Sequence, residues 1–263
     1  MNLSRPITKH STATENVFIL SEDFFMPQFN QKRRIWIYLP PDYETSGNKR
    51  YPVLYMQDGQ NLFDAASSFA GEWAVDNNLN ALFERGESQG LIVIGIDNGS
   101  DTRTYEYCPH RNPKFGGGGG KLYLRFLVET LKPFIDQNYR TYADRDSTGI
   151  MGSSLGGLIS FYAGIEFPKV FGKIGVFSPS FWFSPKIYEN AKKYMHKNYT
   201  KYYFLAGRQE SSNLVEQTSE MYEIMKQRGI HEDQMRLIVC DDGQHSEWFW
   251  NREFPNAYRF LYH

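Results

Sequence analysis

The sequence predicts an α/β fold: a mostly parallel, doubly wound sheet of eight strands with helices on both faces. Two observations carry this expectation. From Val53 onward several short apolar runs are continuous rather than alternating, as strands buried on both faces require. Those runs alternate with segments of helical period, the order that builds a parallel sheet. Length adds a bound, because 263 residues suit one α/β domain whose core needs no disulfide staples.

A polar arm, residues 1–15, precedes the first strand. The β-type runs Asn16–Leu20 and Arg33–Leu39 read as a hairpin or meander that ends at Pro40-Pro41. Strands then follow at Val53–Gln57, Leu91–Ile96, Ser147–Met151, Lys173–Phe177, Tyr202–Ala206 and Arg236–Cys240. Helices are expected at Trp73–Glu84, at Lys121–Asn138 and at Leu155–Glu166. In the second of these Leu124, Leu127, Val128, Leu131 and Ile135 share one face. Asn213–Arg228 runs from an Asn cap, with Glu216 three residues on, to a stop at Gly229. A last helix spans Ser246–Phe260, and Pro255 is expected to interrupt it. With no internal repeat or linker, residues 16–263 are expected to form a single domain. Gly116–Gly120 reads as a flexible loop, since no Gly-Lys-Ser/Thr follows it to make a phosphate-binding turn.

Composition narrows the function classes. Lys and Arg number 29 against 30 Asp and Glu, so no basic field marks a nucleic-acid partner. No apolar run approaches the ~20 residues of a membrane helix, so no membrane partner is expected. Cys108 and Cys240 lie far apart without a Cys-x-x-Cys or Cys/His cluster. They read as free thiols of a reducing compartment, and neither a metal nor another cofactor is implied. Met1 to Asn16 lacks the apolar segment of a signal peptide, which makes a cytoplasmic location the expectation, or secretion if a leader had been removed. Aromatic residues reach 16 %; most fall on strands and helix faces, where they fill a core.

Gly-x-Ser-x-Gly occurs twice. Gly86-Glu-Ser88-Gln-Gly90 lies after a helix and before a strand, and reads as a surface turn. Gly152-Ser-Ser154-Leu-Gly156 follows the strand Ser147–Met151 and opens a helix. A tight strand-to-helix turn has no space for bulky residues two before and two after the serine. It lifts Oγ above the carboxyl edge of the sheet, at the positive end of the helix. Ser154 is therefore the candidate nucleophile.

A serine hydroxyl needs a base, and histidine is the usual one near neutral pH. In a sheet of this kind the order is serine, acid, histidine. His10 and His110 precede Ser154. His196 leaves no strand for an acid, His231 lies at the wrong end of the sheet, and His263 is terminal. His245, just past the last strand, remains. The acid should follow the strand before it, where the loop Gly207–Ser211 offers Glu210 to hold the imidazole tautomer. Asp241 and Asp242, next to His245, are the alternatives.

A tetrahedral intermediate needs preorganised donors. One is the Leu155 amide. The other is the amide of Gln60, or of Asn61, in the loop after Val53–Gln57. Asp97-Asn98-Gly99-Ser100, with Arg103 and Glu106, lies at the same edge. Arg103 would clamp a substrate anion or pair with Glu106 to shape the loop.

Several segments together resemble the esterase family of α/β-hydrolases, which holds esterase D, feruloyl and acetyl-xylan esterases, enterochelin esterases and mycolyltransferases. They are Arg34–Tyr43, Tyr51–Phe63, Gly152–Gly157, Phe177–Trp182 and Gly243–Ser246, with Trp248 beyond. The resemblance spans Arg33 to the C-terminus and implies an α/β-hydrolase fold with Ser154 and His245 as catalytic residues. It also implies oxyanion donors Gln60 and Leu155, and it places Phe181 and Trp182 at the pocket wall. The chain departs from the pattern with Asp58-Gly59 where esterase D has His-Gly, and with Glu where several members use Asp. Trp248, Phe63 and Tyr105 also fall in loops expected near Ser154.

The expected function is a metal-independent serine esterase acting through an acyl-enzyme. Its substrate would be a small-molecule or oligosaccharide ester: a feruloyl or acetyl carbohydrate ester, or a siderophore-type lactone. An acyltransferase with the same three residues and a non-catalytic binding module are the alternatives.

Overall fold

The computed structural model describes residues 3–5, 10–194 and 199–263; His196 lies outside them. Eight strands form one sheet in the order β1-β2-β4-β3-β5-β6-β7-β8. β1 (Val17–Met26) and β2 (Gln31–Tyr38) make an antiparallel hairpin, and β2 runs antiparallel to β4 (Ile92–Ile96). β3 (Val53–Gln57) lies parallel between β4 and β5 (Thr148–Ser153). β6 (Lys173–Phe177), β7 (Lys201–Gly207) and β8 (Met235–Cys240) continue in parallel to the far edge. β1 extends beyond the expected Leu20 because its register shifts twice between Ile19 and Phe24. Such bulges bend an edge strand and let it follow the sheet twist.

The two faces of the sheet follow from strand alternation. Val53 and Tyr55 of β3, Ile150 of β5, Ile174 and Val176 of β6, and Tyr202 and Phe204 of β7 point into one apolar cluster. That cluster is covered by α3 (Gly120–Phe126), α4 (Lys132–Asn138), α5 (Leu155–Glu166) and α7 (Leu214–Gln227). Leu54 and Met56, Met151, Phe177, Tyr203 and Leu205 point the other way. There they meet α1 (Val75–Glu84) and α8 (Glu247–Tyr262). α5 is buried along nearly its whole length, which fits its apolar sequence and its place in the middle of one layer.

Three expectations need correction. The helix at Lys121–Asn138 is not regular: a π-turn at Leu127–Leu131 joins α3 to α4. α8 passes through Pro255 without a break. Proline removes the bond to the carbonyl four residues back, and that carbonyl, on Asn251, meets Asn78 Nδ2 at 3.4 Å instead. Gly116–Gly120 is tied down, with the amides of Gly118 and Gly120 donating to Cys108 O and that of Gly119 to Tyr105 O, each at 2.9–3.1 Å. Two further short helices are α2 (Arg103–Tyr107), in place of an expected loop, and α6 (Lys186–Lys193).

The parallel strands bring the loops after β3, β5, β6, β7 and β8 to one edge, the usual place for a site in such sheets. Beneath that edge Phe161 of α5 is fully buried, in contact with Phe181, Tyr202 and Phe204 at ring-centroid distances of 5.2–6.2 Å. Phe161→Ala should lower unfolding free energy by about 3–5 kcal/mol, read from the midpoint of urea unfolding at constant slope.

Candidate active site

Ser154 follows β5 directly, at φ 59° and ψ −121°, a conformation that costs a non-glycine residue about 1–3 kcal/mol. The surrounding backbone holds it there. Its amide donates to Phe177 O at 2.9 Å, and its carbonyl accepts from Leu158 N at 3.1 Å and Ser180 N at 3.0 Å. Gly152 is required, since a Cβ there would stand 2.5 Å from Gln57 Oε1 and 2.9 Å from the Gly156 carbonyl carbon. α5 starts at the next residue. The amides of Leu155 and Gln60 find no acceptor among the described residues, while that of Asn61 is spent on Asp58 O at 2.9 Å.

The loops after β7 and β8 are locked together by the close approach of Gly207 to Gly243, where a Cβ on Gly207 would lie 2.7 Å from Gly243 Cα. Gln209 N donates to Gly243 O at 3.0 Å across the same junction. The locking brings Glu210 to His245, with Nδ1 and Oε2 2.5 Å apart and the glutamate side chain fully buried. Glu210 Oε1 accepts from Gly207 N at 2.6 Å and from Ser178 Oγ at 2.9 Å. Ser178 Oγ in turn accepts from Trp250 Nε1 at 2.9 Å, and the Trp250 ring meets the imidazole edge to face at 5.1 Å. With Nδ1 directed at the carboxylate, Nε2 is the ring nitrogen left to accept a proton.

Ser154 and His245 line one cavity of about 210 Å³, together with Asp58, Asn61, Phe69, Ala70, Trp73, Arg103, Ser153, Glu247 and Trp250. In this conformation Ser154 Oγ hydrogen-bonds Ser180 Oγ at 3.2 Å, and no hydroxyl–imidazole bond is formed. Such bonds are commonly long in unliganded sites and tighten with substrate.

Arg103 lies on the cavity wall but does not pair with Glu106. Its Nε and Nη2 bind Asp58 Oδ1 and Oδ2 at 2.7 and 2.9 Å. Glu106 is fully buried and pairs with Arg33 at 2.6 Å. Asp241 and Asp242 face solvent and pair with Arg208 and Arg252, so neither reaches the imidazole. Phe181 is fully buried against Phe161 and Tyr188, inside the core instead of on the pocket wall. Phe63 is likewise core, against Trp36. Trp182 is 47 % exposed and packs on Phe115 outside the Ser154 cavity, while Trp248 lies under Arg252 and Tyr105 is exposed beside a neighbouring groove. Ser88 is buried, not a surface turn, and bonds Tyr258 Oη at 2.5 Å.

The aromatic wall belongs to Phe69, Trp73 and Trp250, none of them anticipated. Trp73 stacks on Phe177 and meets Trp250, which joins this wall to the sheet. Ser178 and Ser180 were also missed as individual residues, although their segment, Phe177–Trp182, was singled out. Ser178 lies at φ 44°, and nothing in a Ser-Pro-Ser string announces a link to a glutamate thirty-two residues on. Among the described residues no cluster of three or more His, Cys, Asp or Glu is arranged to hold a metal ion, and no helix is long and apolar enough to cross a membrane.

A family profile described as "Putative esterase" matches residues 27–261. The Bacillus subtilis protein YbbA is 32 % identical over 248 residues, covering 88 % of this chain and 92 % of YbbA. Iron(III) salmochelin esterase of Escherichia coli is 28 % identical over 158 residues, which cover 59 % of this chain and only 34 % of that enzyme. Among solved structures, siderophore hydrolase EstA from Aspergillus nidulans superposes with a TM-score of 0.75 at 18 % identity, over 97 % of this chain and 96 % of EstA. The fold is thus that of the α/β-hydrolases, and the chain belongs to the esterase family of carboxylic-ester hydrolases.

Proposed function

We propose that this protein hydrolyses carboxylic esters through a covalent acyl-enzyme on Ser154. Support comes first from one observation: Glu210, its side chain fully buried, meets His245 Nδ1 at 2.5 Å at the sheet edge where Ser154 also lies. In the proposed reaction the Ser154 hydroxyl turns from Ser180 to His245 Nε2. Oγ attacks the ester carbonyl as Nε2 takes its proton, and the amides of Gln60 and Leu155 receive the charge on the carbonyl oxygen. The imidazolium, held by Glu210, then protonates the departing alkoxide. Water attacks the acyl-enzyme by the same route in reverse, giving up a proton to His245 and releasing the acid and a free Ser154. These steps draw on protein groups and water alone.

The proposed substrates are small or medium esters. Siderophore-type lactones stand first, because salmochelin esterase and the siderophore hydrolase EstA are among the similar proteins. Feruloyl and acetyl carbohydrate esters, implied by the sequence resemblance, are the second class. Rates on a catecholate trilactone, methyl ferulate and acetyl-xylan separate the two.

Ser154→Ala should reduce kcat for a small aryl ester by roughly 10³-fold or more, with the melting temperature retained. Full activity in that variant would sink the proposal. Ser178→Ala takes one hydrogen-bond donor from Glu210 and the acceptor from Trp250 Nε1. It should lower kcat more than it raises KM and cost about 1–3 kcal/mol of stability, measured by steady-state kinetics and urea unfolding.

A further inference from the structure

Glu247 lines the Ser154 cavity and takes no part in the steps above. It opens α8 two residues after His245 and is only 7 % exposed. Its one side-chain donor is Asn61 Nδ2, 3.0 Å from Oε1, and no Lys or Arg among the described residues forms an ion pair with it. The other charges of the site are already matched. Asp58 is clamped by Arg103 and also accepts from Asn98 Nδ2 at 2.6 Å, and Glu210 is committed to His245. The cavity thus carries one carboxylate with no Lys or Arg ion-pair partner among the described residues. Burial, its main cause, raises the Glu247 carboxyl above the usual glutamate range, against the lowering pull of its own backbone amide, of Asn61 and of His245.

Trp73, Trp250 and the largely exposed Phe69 line the same cavity as this carboxylate. Aromatic faces attract cations, and a desolvated carboxylate is relieved by an opposite charge. Arg103, the one Lys or Arg of that lining, is already spent on Asp58. From this juxtaposition we infer that the cavity takes an ammonium-bearing group, so that between small esters of equal shape outside the lactone and carbohydrate classes the enzyme prefers the one carrying a positive charge a few atoms from the scissile bond. The catalytic readout of this inference rests on the Ser154 reading; its binding readout does not.

Two esters of nearly equal shape test it: acetylcholine and its uncharged carbon isostere, 3,3-dimethylbutyl acetate. The wild-type chain should favour the charged ester by about tenfold or more in kcat/KM, and Glu247→Gln should bring that ratio close to one. Gln keeps an oxygen for Asn61, so a glutamate that merely braced the loop would leave the ratio where it was. Equal rates on the two esters in the wild type, or a ratio that survives Glu247→Gln, would overturn the inference while leaving the Ser154 reading intact. Tetramethylammonium supplies a readout without turnover. It should raise the melting temperature of the wild type, and neopentyl alcohol at the same concentration should not. If the wild type turns over neither ester, or the variant does not fold, this shift decides: its absence overturns the inference. Loss of turnover on every ester, aryl esters included, would instead overturn the Ser154 reading.

Discussion

A serine backbone held at positive φ between β5 and α5 is the constraint around which the site is arranged. The turn has to reverse direction within one residue, and it does so only because the segments around it come unusually close. Gly152 lies against Gln57 and the first turn of α5, while the Ser154 amide is anchored on Phe177 of β6. A strained residue persists only where its surroundings over-determine it, and here the sheet, the helix and the loop after β6 all contribute. The same geometry leaves the Leu155 amide, at the start of α5, without an acceptor among the described residues, and the amide of Gln60, after β3, is likewise unspent among them. The free Leu155 donor and a half-buried Ser154 hydroxyl thus arise from one local solution to a packing problem.

The second half of the site is held by contacts that reach across the sheet edge. Gly207 and Gly243 let two loops touch backbone to backbone, and Glu210 is buried at that junction with each carboxylate oxygen occupied. Ser178 extends the chain to Trp250, whose ring also packs on the imidazole and on Trp73. His245 is therefore oriented from several sides, although it is itself 40 % exposed. Buried networks of this kind restrict a side chain to one arrangement when every member is satisfied. The cavity beside it differs in character, since Glu247 there has no Lys or Arg ion-pair partner among the described residues.

Much of this was legible in the sequence. All eight strands, the five main helices and the meeting of Glu210 with His245 follow from apolar runs, helical period and chain order, although Asn213, expected to cap α7, makes no side-chain cap bond. The strand-to-helix context distinguished Gly152–Gly156 from Gly86–Gly90 because the two pentapeptides sit at opposite ends of their strands. What stayed hidden depends on contacts between distant segments. Phe181 looks like a loop aromatic until Phe161 and Tyr188 close over it. Arg103 has an acidic neighbour three residues on, yet its partner is Asp58, and Glu106 is taken by Arg33. At Pro255 the carbonyl freed on Asn251 meets Asn78, a residue of α1. Helix periodicity carries no information on such rescue, and composition does not tell a pocket aromatic such as Trp73 from a core one such as Phe63.

The central claim is that Ser154 carries the acyl group. The most direct measurement mixes the intact protein with a slowly hydrolysed aryl ester, quenches in acid, and locates the adduct by peptide mass spectrometry. The account predicts one acyl mass increment, confined to the peptide bearing Ser154, absent in Ser154→Ala and lost as deacylation proceeds. An increment on another residue, or turnover with no adduct at Ser154 after prior blocking by a fluorophosphonate, would contradict it.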